Sequence, residues 1–138
     1  MSEYDIQAAE FLKKANARMT ISRTGEVEDP WESGLRMWHY KYQVTLTRDK
    51  KQYRFTFYDS FNNWKNNKRP TRYSVLASIE KYPAPETVDE FAAEFGYKIE
   101  SDQERRKVER IRKKCEEQYN RLLDMFGEDL MKDLREIW

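Results

Sequence analysis

A chain of 138 residues is the length of one domain and can bury a core without disulfide or metal staples. Charged residues make up 37% and aromatics 14%, which excludes a disordered chain and points to a core of rings under a highly charged exterior. A lone cysteine, Cys115, excludes an internal disulfide, and no apolar run approaches the roughly 20 residues a membrane helix needs, so a reducing cytoplasm is expected.

The net charge of +1 conceals a segregation into blocks. Residues 37–73 carry nine basic against two acidic side chains, and residues 105–114 seven against one. Residues 74–104 are acidic, with eight carboxylates against two cations, and 1–36 and 115–138 are mildly acidic. Blocks of this kind give faces of opposite sign, which suit a charged partner but also arise in ordinary solvated helices.

In chain order, Ser2 is placed to cap a first helix with Asp5 at its third position, and Ala8, Phe11, Leu12 and Ala15 give it one apolar stripe through about Ala17. Met19 and Ile21 alternate with polar neighbours in a short strand ended near Gly25, and Glu26 to Gly34 reads as a loop with Trp31 folded back or exposed. From Trp38 to Leu46 and again from Tyr53 to Phe57 rings and aliphatics recur at every second residue, the period of strands with one buried face. Arg48 to Lys51 is the turn between them.

Residues 61–72 form a basic loop. Thr71 caps a helix carrying Val75, Leu76 and Ile79 that ends at Tyr82, before Pro83 and Pro85. Two capping boxes follow, Thr87 with Glu90 and Ser101 with Glu104. The first opens a short helix closed by Gly96. The second opens the longest helix, whose seam is Val108, Ile111, Cys115, Tyr119, Leu122 and Phe126, ended by Gly127 and followed by a last helix to about Ile137. The expected fold is α+β in a single domain, 1–138. An N-terminal helix and a three-stranded antiparallel meander occupy 1–60, and about four helices packed on the sheet occupy 73–138. The order of helix, three strands and helix matches double-stranded-RNA-binding domains, but the second helix here begins Thr71-Arg72-Tyr73-Ser74 and lacks their lysine-rich start.

Groups that carry chemistry are few. His39 and Cys115 are the sole histidine and thiol, which leaves no set for a Cys/His zinc site or a histidine-based triad. His39 is expected on the sheet surface, away from the aromatic face, and Cys115 as a buried thiol in the helix seam. The four glycines are scattered, so no phosphate-cradling loop is formed. No enzyme activity, cofactor or metal is expected. The candidate binding residues lie in two basic regions. In the loop they are Trp64, Lys65, Lys68, Arg69 and Arg72, which combine positive charge with a stacking ring. In the long helix they are Arg105, Arg106, Arg110 and Lys113, where glutamates at i+4 spacing also permit an ordinary solvated face.

Several phrases together resemble small proteins carried by phages and mobile elements of Gram-positive bacteria. They are Ser2 to Leu12, Tyr53 to Ser60, Pro70 to Ala77, Phe95-Gly96-Tyr97, and Phe126 through Glu136-Ile137. The resemblance implies a phage origin and no catalysis. It leads to the expectation of an anti-CRISPR-type counter-defence protein in the bacterial host cytoplasm, bound to an immune effector or its nucleoprotein complex. The basic run at 105–114 is a departure from acidic forms of that group and disfavours a DNA-mimic mode. The competing expectation is a non-enzymatic DNA- or RNA-binding accessory protein of a phage replication or regulatory module. No membrane partner is expected, and the chain is a monomer or, through the long seam and Trp138, a homodimer.

Overall fold

The alternation of rings along 38–60 builds a β-hairpin. In a computed structural model, which describes residues 2–60 and 69–138, β2 (Trp38–Arg48) and β3 (Lys51–Ser60) pair antiparallel across a turn at Asp49 and Lys50. Asp49 takes a left-handed φ of 53°, a conformation aspartate tolerates better than most residues. On the other side of β2 lies β1 (Ala17–Glu28), giving the order β1-β2-β3. β1 is far longer than the short strand expected. It passes through Gly25 because Thr24 is extruded as a bulge, which lets pairing resume at Gly25 opposite Lys41.

Four helices complete the described chain. α1 (Glu3–Lys14) precedes the sheet, and α2 (Arg72–Ser78), α3 (Val88–Phe95) and α4 (Asp102–Arg135) follow it. The caps are those the sequence announces. Ser2, Thr71, Thr87 and Ser101 each accept, through the side-chain oxygen, the amide of the residue three positions on, at 3.2, 3.1, 3.1 and 3.1 Å. α2 stops at Ser78 rather than Tyr82, so Ile79 is buried from outside the helix. α4 runs on past Phe126, but Gly127 at φ 77° and ψ 168° breaks its geometry where a helix end was expected. Those angles are almost closed to residues with a side chain. Gly127→Ala is expected to lower stability by about 2 kcal/mol from backbone strain alone, since nothing lies within 4 Å of an added Cβ. Thermal unfolding of the variant checks it.

The chain divides into two compact units, Met1–Ser78 with Lys132–Trp138, and Ile79–Met131. In the first, α1 packs against β1 and α2. Its core is the inward face of the sheet, Met19, Tyr40, Tyr42, Val44, Leu46 and Tyr53, together with Phe11, Leu12, Val75 and Leu76. Three polar links tie the C-terminal segment into this unit. Lys14 pairs with Asp133 at 2.7 Å, the Gln7 amide donates to the Glu136 carbonyl at 3.2 Å, and the Tyr73 hydroxyl donates to the Trp138 carbonyl at 2.7 Å. In the second unit, Phe91, Ala92 and Val108 form a core ringed by Val88, Ile99, Ile111 and Cys115.

Candidate functional site

The single histidine sits differently from expectation. His39 does lie on the sheet face opposite the rings, yet it is buried at 6% exposure. The loop after β1 folds back over it. Asp29 takes the amide and hydroxyl of Ser33 at 2.8 and 2.6 Å and the Gly34 amide at 2.9 Å, and its own amide donates to the Met37 carbonyl at 2.9 Å. This knot sets the Trp31 ring edge-on to His39 and to Tyr58, with centroids 4.8 and 5.6 Å apart. His39 Nδ1 is 3.0 Å from the Met37 carbonyl. It is therefore part of a small aromatic knot and not an open surface group. A contact across eight residues of loop is invisible to strand periodicity.

Cys115 lies half-buried on α4. Burial, aided by the charge and hydrogen bond of Glu80, pushes its thiol up to about 12. Because the thiolate is the reactive form, native protein at pH 8 is expected to react with an aromatic disulfide reagent only as fast as it unfolds, and denatured protein at once. A stopped-flow thiol assay with and without urea separates the two rates. Lys81, which the sequence does not single out, is also buried, and burial holds its ammonium below the usual lysine range against the opposing pull of Glu80. Among the described residues, no group of three or more His, Cys, Asp or Glu side chains is placed to hold a metal ion.

Of the loop candidates, Trp64, Lys65 and Lys68 lie outside the described residues. Arg69 and Arg72 are exposed and meet at one cleft of about 630 Å³ in the first unit. Asp5 and Ala9 of α1, Met19 to Ile21 of β1, and Pro70 and Thr71 line the rest of it. Two guanidinium groups against one carboxylate leave the cleft with a basic mouth.

The run at 105–114 divides by helical phase. Arg112 falls four residues from Val108, on the inner side of α4, and its side chain is only 10% exposed. There it grips the Glu109 carboxylate in a fork at 2.7 and 2.9 Å, Glu116 at 2.6 Å and the Pro85 carbonyl at 3.2 Å, beside a shallow cavity of about 400 Å³. Its cation is spent inside the protein. Arg105 pairs with Asp89 at 3.0 Å, and Arg106 donates to the Asp102 carbonyl at 3.3 Å. Arg106, Arg110, Lys113 and Lys114 are exposed, and their spacing of four, three and one puts them along the outer side of the helix.

One cationic surface is missed by a search for basic runs, because it is built from three strands. With period two, fifteen strand positions face away from the core of the first unit, and none of them is acidic. Arg18, Lys41 and Arg54 are its exposed cations, set among Thr20, Ser22, Gln43, Thr45 and Thr56. Comparison with protein-family models, with curated proteins and with solved structures finds no match for this chain.

Proposed function

We propose that the protein acts by occupation and not by turnover, as an anti-CRISPR-type counter-defence protein of a phage or mobile element that binds and blocks a bacterial immune effector. The observation that carries this reading is how its charged and reactive groups are divided. Arg112, His39 and Cys115 lie buried or half-buried within the structure, whereas Arg106, Arg110 and Lys113 present their side chains on the exposed outer side of α4. Cations so placed meet an acidic or nucleic-acid-bearing surface with favourable long-range attraction and reject basic ones. The sequence resemblance to mobile-element proteins of Gram-positive bacteria supplies the setting.

Co-purification with RNA-guided nucleases of Gram-positive hosts, followed by target cleavage and phage plating, tests the reading. A stable complex and loss of cleavage are expected, with Arg106→Glu, Arg110→Glu and Lys113→Glu together weakening inhibition at least tenfold at low salt. Full immunity across those effectors in the presence of the protein overturns it.

A second reading, a nucleic-acid-binding accessory of a phage module, is favoured by the meeting of Arg69 and Arg72 at one cleft. It requires retardation of bare DNA or RNA at low salt, with each of Arg69→Ala and Arg72→Ala reducing the salt slope by about 0.7 to 0.9.

A further inference from the structure

We propose that the outer face of the three-stranded sheet is a binding platform for single-stranded nucleic acid. Charge is the first reason. The rest of the chain carries its carboxylates almost evenly with its cations, but this face presents Arg18, Lys41 and Arg54 with no acidic side chain among its fifteen strand positions. Among the described residues none of these three forms an ion pair, so their charge is directed at solvent. A polyanion is the complementary ligand.

The register staggers the cations along the strand direction, one on each strand. Lys41 stands opposite Tyr58, Arg54 opposite Thr45, and Arg18 opposite Thr47. At the strand rise, the interval from His39 to Thr47 on β2 is about 26 Å, room for several nucleotides of an extended chain. Rings at one end are the second reason. Trp31 is 54% exposed yet held near-perpendicular against His39 and Tyr58, close to the level of Lys41, which stands opposite Tyr58. A fixed exposed ring beside a cation suits an unpaired base stacked on the indole with its phosphate on the ammonium. The hydroxyl and amide side chains between the cations offer donors and acceptors to sugars and base edges, the means by which a site tells RNA from DNA. A duplex hides its base faces from such a ring, which is why a single strand is the committed ligand.

None of these residues belongs to the cations on which the proposed function rests, so the two stand or fall separately. The full chain is titrated with fluorescent twelve-nucleotide oligo-dT and oligo-rU, and with a duplex of equal length, between 50 and 200 mM salt. Three phosphate contacts give a slope of about −2, an affinity loss of about 20-fold over that range. Lys41→Gln with Arg54→Gln reduces the slope to about −0.7 and the loss to about threefold. Trp31→Ala weakens binding about 5- to 150-fold, the range of one stacked base. Arg69→Ala with Arg72→Ala leaves the affinity within about threefold, and far-UV circular dichroism establishes that each variant is folded. Preference for dT or for rU identifies the polymer, and either supports the platform. It is overturned if neither strand binds at 50 mM salt, if the duplex or polyglutamate competes as well as a single strand, or if the sheet variants bind like wild type.

Discussion

Phe91→Ala is expected to lower the stability of the protein by about 4 kcal/mol, about a quarter or more of what a folded domain ordinarily has. Phe91 is 2% exposed and is the largest side chain in the small core of the second unit. Its ring lies 4.5 Å from that of Phe95 and stacks at 14° on Tyr97, with 5.9 Å between centroids. Both neighbours are themselves exposed, at 53% and 39%, and both lose the surface they pack on when the ring is removed. The cavity term therefore adds to the lost transfer energy. Phe91→Leu keeps an apolar side chain and is expected to cost about 1.5 kcal/mol. Urea unfolding with both variants gives the two numbers. Equal midpoints for Phe91→Ala and wild type would mean that 88–108 has no core of its own.

Arg112→Ala ranks second, at about 3 kcal/mol. Removal of one partner from a buried ionic group leaves the others uncompensated, which typically costs 3–5 kcal/mol. The low end applies because Glu109 and Glu116 are 30% and 48% exposed and regain part of their hydration. Arg112→Lys is not a rescue, since an ammonium cannot reproduce the fork on Glu109 while also reaching Glu116 and the Pro85 carbonyl. The same contact has a pH signature. The hydrogen bond from Arg112 holds the Glu109 carboxyl below its ordinary range, so Glu109 binds its proton more weakly in the folded than in the unfolded state. Its contribution is fully present above the unfolded carboxylate pKa near 4.5 and is lost as pH falls through the lower folded value. Glu109→Gln should flatten the acid limb of a stability profile below about pH 4.5 and leave the neutral region parallel to wild type.

The elements were legible in the sequence wherever local chemistry decides them. The hairpin followed from rings at alternate positions, and the starts of α1, α2, α3 and α4 followed from cap residues whose geometry is the same in any fold. The full length of β1 is not legible in the sequence because a glycine signals a strand end and a bulge with equal force; only the partner strand decides between them. His39 was placed on the correct side of the sheet, but its burial depends on a tryptophan in another element. Arg112 was hidden inside a run of cations, although its phase with Val108 and Tyr119 on α4 marks it as inward-facing. The sheet cations are hidden from the sequence for the opposite reason. Arg18, Lys41 and Arg54 are far apart in the chain, and only the register joins them.

If the protein works by occupation, its effect on a defence effector must be stoichiometric. The direct measurement is a titration of a purified RNA-guided nuclease at fixed concentration, far above the dissociation constant, with target cleavage as the readout. Inhibition is expected to rise linearly and to end at a small whole-number ratio of protein to effector, unchanged by longer preincubation. Complete inhibition at a hundredfold lower ratio, deepening with time, would mean that the protein modifies its target chemically and would contradict the account.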